Sequence, residues 1–225
     1  MILVVSDRPW VAAAFAEWRP TIGHLPMATS LVTTYGALTV SAAHSKPDVV
    51  IFPHWSYLIP PAIYDVVPCI GFHLGDLPRG RGGSPLQNLL VRGLYRTTLC
   101  AFRITGEMDG GPVYLRELVD LSEGSAEAIY HDLARRCLRM AETILNEHIE
   151  PQPQVGTPTV WKRRTPNESA IPKNLSPIEL YDFIRMLDAP GYPYAFLEAA
   201  GQRVTFTNAR RTPGGVVADA ALSAS

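Results

Sequence analysis

Three short, almost wholly apolar runs in the first third of the chain constrain its fold more than any other feature. They are ILVVS (2–6), DVVIFP (48–53) and CIGF (69–72). Unbroken apolar runs of this length are typical of strands buried on both faces of a parallel sheet. Helices are predicted between them, at 7–18 with Asp7 as its cap and at 61–67. This alternation predicts an α/β fold with a Rossmann-like, doubly wound, mostly parallel sheet.

The rest of the chain continues the alternation and ends in a small extension. The later predicted elements are a helix at 84–92, strands at 97–105 and 111–121, and helices at 125–149 and 176–187. Capping boxes predict the starts at Ser84 and Ser176. Residues 195–209 are predicted to form a β-hairpin turning at Gly201, and the last eight residues a frayed tail. The fold class therefore includes a small C-terminal helix plus β-hairpin extension.

A proline-rich segment, EPQPQVGTP (150–158), has no apolar periodicity and is interpreted as a linker. It divides the chain into a larger domain, 1–150, and a linker with a small α+β extension, 151–225. Hydrophobic residues make up 47% of the chain, which is enough for a sizeable core.

The net charge limits the kinds of binding partner that are expected, and the cysteines indicate the cellular compartment. The net charge is −1, which gives no overall attraction to nucleic acid or acidic lipid, and no apolar run approaches the about 20 residues of a membrane helix. The N-terminal run lacks a preceding basic region, so it is interpreted as a strand rather than a signal peptide. The three cysteines are scattered, which favours reduced thiols in a cytoplasmic protein, and no metal-ligand spacing is present.

The segment GFHLGDLPRGRGGSP (71–85) surrounds one histidine with glycines and prolines. His73 follows an apolar strand, and ligands of open α/β sheets bind beyond the carboxyl ends of strands. Glycines let the backbone approach a ligand closely. Neither a P-loop nor GxGxxG is present, so phosphate binding is weakly supported. Arg79 and Arg81 are candidates to hold an anionic substrate group, with solvated arginines as the alternative.

A second segment, GEMDGGPVY (106–114), places Asp109 before two glycines at the start of a strand. An aspartate in a turn is the simpler interpretation. A carboxylate can also orient an imidazole and stabilise its charged form, so Asp109 is a candidate partner of His73.

Together the two segments resemble the signature of the folate-dependent formyltransferases, a family that includes enzymes acting on methionyl-tRNA, glycinamide ribonucleotide and amino sugars. His73 takes the family's His position, Pro78 its Pro, and Arg81-Gly82 its Arg-Gly, while MDGGPVY resembles the segment with the catalytic aspartate. Residues 161–172 and 180–206 resemble the C-terminal region of sugar formyltransferases. The resemblance covers most of 47–209.

The resemblance implies 10-formyltetrahydrofolate as co-substrate and a primary amine as acceptor, with His73 and Asp109 as the catalytic residues. The residues implied to bind the folate are Pro53, His54, Trp55, Tyr57, Leu58, Gly106 and Met108. The residues expected at the acceptor are Asp76, Arg79, Arg81, Gly82 and Asn88.

One departure from the family pattern concerns the chemistry directly. The family's Asn, which donates to the formyl oxygen as negative charge develops, falls at Gly71. Loss of one such donor typically costs about 100- to 1,000-fold in rate. Asn88 and His54 are the possible stand-ins, and the family's Ser and aromatic residue are replaced by Gly75 and Gly80.

The acceptor is expected to be a small amine, preferably on a nucleotide-linked sugar, because the net charge disfavours transfer RNA. An amino acid or a carrier-bound amine stays open as acceptor. The alternatives of other classes are a formyltetrahydrofolate hydrolase and a non-catalytic folate- or nucleotide-binding module. The C-terminal hairpin, with an exposed edge, is a candidate homodimer interface.

Overall fold

The chain folds into eleven strands and six α-helices within residues 1–23, 27–199 and 201–224, the part described by this computed structural model. The strands are β1 (Ile2–Val5), β2 (Thr29–Val32), β3 (Val49–Phe52), β4 (Cys69–Leu74), β5 (Arg81–Gly82), β6 (Arg96–Arg103), β7 (Val113–Asp120), β8 (Val160–Trp161), β9 (Ala195–Ala199), β10 (Gln202–Thr212) and β11 (Gly215–Ala224). The helices are α1 (Pro9–Trp18), α2 (Tyr35–Ser45), α3 (Pro61–Tyr64), α4 (Pro85–Leu90), α5 (Ala126–Asn146) and α6 (Pro177–Arg185), with a 3₁₀ helix at Pro166–Ser169.

A six-stranded sheet with the order β2-β1-β3-β4-β6-β7 organises the first part of the fold. β1 pairs in parallel with β2 and β3, and β3 pairs in parallel with β4, whereas β4 and β6 are antiparallel. Every residue of β1 and β3 is buried, as continuous apolar strands covered on both faces require. The predicted α/β fold with a mostly parallel sheet is confirmed.

Two compact units, each drawn from three parts of the chain, can be distinguished by their internal contacts. The first comprises Met1–Gly82, Thr98–Val119 and Tyr130–Val160, and the second Gly83–Thr97, Asp120–Ile129 and Trp161–Ser225. Residues 151–160 belong to the first unit. The division into domains at 1–150 and 151–225 stays a prediction.

The second unit contains the antiparallel sheet β9-β10-β11, with α6 in contact with β10. The predicted hairpin around Gly201 is confirmed by the pairing of β9 with β10. The prediction of a frayed tail was wrong, because β11 pairs along nearly its full length with β10. Ser225 lies outside the described residues.

The first residues of the helices show which predicted N-caps form in the structure and which do not. The Ser176 capping box of α6 is confirmed, with both reciprocal bonds to Glu179. Ser84 does not cap α4: its φ is +52°, and its hydroxyl accepts from the Arg164 amide at 3.0 Å. Asp7 is not the cap of α1 either, since that position is Arg8, without a side-chain bond. Within the described ranges, no helix is both long and apolar enough to cross a bilayer.

Candidate active site

His73 lies near the carboxyl end of β4, next to the carboxyl end of its parallel neighbour β3. The imidazole is buried, with 5% of its surface exposed. Its Nε2 lies 2.8 Å from the Gly80 carbonyl oxygen, which can only accept, so Nε2 carries a proton. A Cβ on Gly75 would lie 3.0 Å from that nitrogen. The glycine at 75 therefore leaves room for the ring, and the imidazole is fixed by the loop that follows it.

Asp109 lies in the loop between β6 and β7, in a left-handed conformation with φ of +50°. Aspartate tolerates this region better than most residues. The second glycine that follows it has no alternative, because a Cβ on Gly111 would lie 1.7 Å from the Arg103 carbonyl oxygen. A glycine at 111 is thus required by the backbone path of the loop that carries Asp109.

The structure brings the two residues together, with His73 Nδ1 3.4 Å from Asp109 Oδ2. The same carboxylate oxygen accepts from the Gly82 amide at 2.8 Å. Because Nε2 is committed to Gly80, Nδ1 is the nitrogen available to take up a proton. A positive imidazolium formed there would lie against a carboxylate that the backbone holds in place, which is an arrangement suited to general acid–base chemistry.

Arg81 lies inside this part of the fold, with 7% of its surface exposed. Its Nε and Nη2 donate to Gln154 Oε1 at 3.2 and 2.8 Å, and Nη1 pairs with Glu107. Binding of an anionic substrate by this side chain stays a prediction, since its bonds in the structure all go to the protein. Arg79 and Asp76 are exposed, and Asp76 pairs with Arg116 at 3.2 Å.

The segment 151–159, here called the strap, was predicted to be part of a linker between domains. Its Gln152 backbone pairs with Val113 at the start of β7, and its Thr159 hydroxyl accepts from the Gly80 amide at 2.8 Å. The strap therefore connects the loop after His73 with the strand after Asp109. Sequence reasoning missed Gln154 and Glu107, because no pattern in the sequence indicates which acceptors a buried arginine will find.

The residues predicted to bind the folate lie on the loop after β3 and on the loop of Asp109. The rings of Trp55 and Tyr57 are 5.0 Å apart, and Tyr35 lies 6.3 Å from Tyr57. Leu58 and Met108 are mostly exposed, as is Gly106, while Pro53 is buried. In the described part of the chain, Trp55 Nε1 is buried without a hydrogen-bond partner. Binding of the folate by these residues stays a prediction.

Comparison with solved structures identifies a relative that matches the whole fold. The chain is similar to a structure described as methionyl-tRNA formyltransferase from Clostridium thermocellum, with 33% identity, a TM-score of 0.94, and coverage of 100% of this chain and 99% of that one. The chain belongs to the folate-dependent formyltransferase family.

Further comparisons agree with this family. A model of the methionyl-tRNA formyltransferase C-terminal domain matches residues 166–223. The methionyl-tRNA formyltransferase of Wolinella succinogenes is 29% identical over 143 residues, which is 62% of this chain and 47% of the relative. The match therefore spans about half the length of such curated relatives. A 4-N formyltransferase from Francisella tularensis shares the fold, with a TM-score of 0.70 and 18% identity over 92% of this chain and 96% of that one.

Gly71 is the position at which this chain departs most from the family pattern. It faces Phe102 across the antiparallel pair of β4 and β6. A Cβ at 71 would lie 2.8 Å from Phe102 Cζ and 3.0 Å from Ile104 Cγ1. Phe102 is itself buried in a cluster with Leu77 and Val113. An apolar ring therefore fills the space into which an asparagine side chain would project.

The two predicted stand-ins for the missing amide have other partners. Both amide hydrogens of Asn88 are engaged by three backbone carbonyls, those of Gly83, Ser84 and Lys162, within the second unit. His54 belongs to the first unit, where its Nδ1 accepts from Trp10 Nε1 at 3.1 Å and its ring lies edge-on to Tyr130. The roles of Asn88 and His54 at the formyl oxygen stay predictions.

Proposed function

We propose that this protein is an N-formyltransferase that moves a formyl group from 10-formyltetrahydrofolate to the primary amine of a small molecule, a nucleotide-linked amino sugar. The observation that carries the proposal is the pair of His73 Nδ1 and Asp109 Oδ2, 3.4 Å apart, in a chain that matches a formyltransferase over its full length. The resemblance of the two surrounding segments to the family motif also supports this assignment.

The pair supplies the proton transfer that the reaction needs. Formyl transfer forms a bond from the acceptor nitrogen to the formyl carbon, breaks the bond from that carbon to the folate nitrogen, and moves one proton from acceptor to folate. His73 Nδ1 takes the proton of the amine and returns it to the departing nitrogen. Asp109 stabilises the intervening imidazolium and holds the ring in one orientation.

The folate supplies the activated formyl group, and the loop after β3 offers it a surface. Trp55 and Tyr57 provide flat apolar faces for a pterin ring, and the buried N–H of Trp55 provides a donor. β3 and β4 run in parallel, so this loop and the loop after His73 leave the sheet at the same edge. These features support a folate site beside the catalytic pair.

The charges of the antiparallel sheet in the second unit support a small acceptor. Three arginines of its sheet have carboxylate partners: Arg203 pairs with Glu198, Arg210 with Asp219, and Arg211 with Glu123. Binding of transfer RNA requires cations that are free to neutralise phosphates. The names of the curated relatives make methionyl-tRNA the competing acceptor.

An acceptor panel tests the proposal. The purified chain is incubated with 10-formyltetrahydrofolate and, separately, a nucleotide-linked amino sugar, an amino acid and methionyl-tRNA, and each acceptor is examined by mass spectrometry for a formyl group. Formylation of the nucleotide sugar, lost in His73→Ala, is the expected result. Formylation of methionyl-tRNA alone would overturn the acceptor class. Formate release without any acceptor would indicate a hydrolase, and folate binding without turnover a binding module.

A further inference from the structure

One side chain of the strap bonds to the backbone of the Asp109 turn. Gln154 Nε2 donates to the carbonyl oxygens of Asp109 and Gly111, at 2.7 and 2.8 Å. These two bonds hold the backbone on both sides of the left-handed turn. The Gly82 amide holds the Asp109 carboxylate. Backbone bonds from the Gly110 amide to the Glu107 carbonyl and from the Arg103 amide to the Pro112 carbonyl close the rest of the loop.

The orientation of the Gln154 amide follows from the chemistry of its neighbours. The Arg81 guanidinium can only donate, so the Gln154 oxygen must face it, and the two carbonyls can only accept, so the nitrogen must face them. Arg81 is buried, and a buried guanidinium requires acceptors. The oxygen of the Gln154 amide is thus held by the buried Arg81 guanidinium, and its nitrogen donates to the backbone of the Asp109 turn.

We propose that Gln154 is a positioning residue for the reaction, which sets the placement of the Asp109 carboxylate against His73. The proposal rests on the proposed formyl transfer by this pair. Gln154 does not touch the reacting atoms. It acts through the Asp109 turn, and the buried Arg81 gives it a rigid support.

The first test replaces Gln154 with methionine, which keeps length and volume but loses all four bonds. The matched control is Gln152→Met, two residues away in the strap, where the side chain is exposed and the contacts to Val113 are made by the backbone. We expect kcat to fall about 10- to 100-fold in Gln154→Met, because small displacements of a catalytic group have effects of this size. KM for the folate should stay the same, and Gln152→Met should match the parent protein.

A second variant separates the hydrogen bonds that Gln154 donates to the turn from those that it accepts from Arg81. Gln154→Glu retains an acceptor for the guanidinium but cannot donate to the carbonyls of Asp109 and Gly111. We expect the same fall in kcat with a preserved melting temperature. Full activity in Gln154→Glu would overturn the proposal.

A readout independent of activity distinguishes failure of this inference from failure of the proposed function. The Gly82 amide donates to the Asp109 carboxylate. Its proton resonance should move upfield and exchange faster with solvent in Gln154→Met, and it should not change in Gln152→Met. If the parent protein transfers no formyl group but Gly82 responds, the positioning role stands and the function fails. If Gly82 does not respond, Gln154 does not position Asp109.

Epistasis gives the final criterion. In an Asp109→Asn background, Gln154→Met should have little further effect on kcat, since the carboxylate it positions is gone. Full additivity of the two substitutions would show that Gln154 acts by another route.

Discussion

At the scale of single residues, the two nitrogens of His73 have different duties. Nε2 is committed to the Gly80 carbonyl, and Nδ1 faces Asp109. The sequence indicated both residues through the resemblance of their segments to the formyltransferase signature, since an aspartate before two glycines is by itself more simply a turn residue. It could not identify Gly80 as the partner, because that bond is made by a backbone carbonyl and carries no side-chain signature.

The Asp109 carboxylate is open to a conservative test. Asp109→Asn keeps the shape of the side chain and an acceptor for Gly82, but removes the charge that stabilises an imidazolium. We expect kcat to fall about 100- to 10,000-fold, the range for loss of acid–base assistance. Steady-state formylation kinetics measure the effect, with Asp65→Asn, an exposed carboxylate after α3, as the control. Similar rates for the two variants would contradict a catalytic role for Asp109.

Gly71 gives a prediction about packing. Gly71→Asn restores the residue type of the family motif, but its side chain meets the ring of Phe102. We expect a loss of about 1–3 kcal/mol in the free energy of unfolding, the usual cost of overpacking, and no gain in activity. Urea unfolding measures it.

Two comparisons make this result specific. Gly214→Asn places the same side chain where nothing lies within 4 Å, and it should be tolerated. The double variant Gly71→Asn/Phe102→Ala should lose less unfolding free energy than the sum of the losses in the two single variants, since removing the ring relieves the clash. A stable and more active Gly71→Asn protein would show that Phe102 can move aside.

At the scale of elements, local sequence patterns predicted the helices and strands correctly where no distant group competes for the same hydrogen bonds. The face of α5 at Ile129, Leu133 and Cys137 is buried as its periodicity predicts. The capping box of Ser84 failed because distant groups compete for it: Gln87 Nε2 donates to the Met186 carbonyl. The strand β11 was missed because its stability comes from pairing with β10.

The start of α6 allows that argument to be measured. Ser176→Ala removes the hydroxyl that accepts from the Glu179 amide. We expect a loss of about 1 kcal/mol in the free energy of unfolding, typical for an N-cap serine. Ser30→Ala, at an exposed position of β2, is the control and should change stability by only a few tenths of that amount. Equal effects in a denaturant titration would mean that the cap contributes nothing.

At the scale of the whole molecule, the buried thiols give the fold a dependence on alkaline pH. Burial raises the pKa of Cys69 from 9.0 to about 12, and burial also raises the pKa of Cys100 and of Cys137. Above the ordinary value the unfolded chain loses these protons while the folded chain keeps them. The free energy of unfolding should therefore be unaffected by the thiols below that value and fall as the pH rises through it.

Denaturant titrations at about pH 7.5 and about pH 10 test this dependence. Cys69→Ala should show a smaller decrease between the two conditions than the parent protein, because one buried acid is gone. The raised pKa of Tyr114, caused mainly by burial, adds to the decrease in both proteins. An unfolding free energy that is constant across this range would contradict the burial of the thiols.

The strap carries a consequence for how such a chain can vary. Its two anchorages are Gln152 on Val113, in the strand after Asp109, and Thr159 on Gly80, in the loop after His73. The number of residues between these two anchorages is therefore constrained by the distance that the strap has to span. Removal or addition of one residue near Gly156 would change the length of the strap and the register of its two ends. No side chain named above would be substituted. A scan of substitutions does not sample that variable, whereas a series of insertions and deletions does.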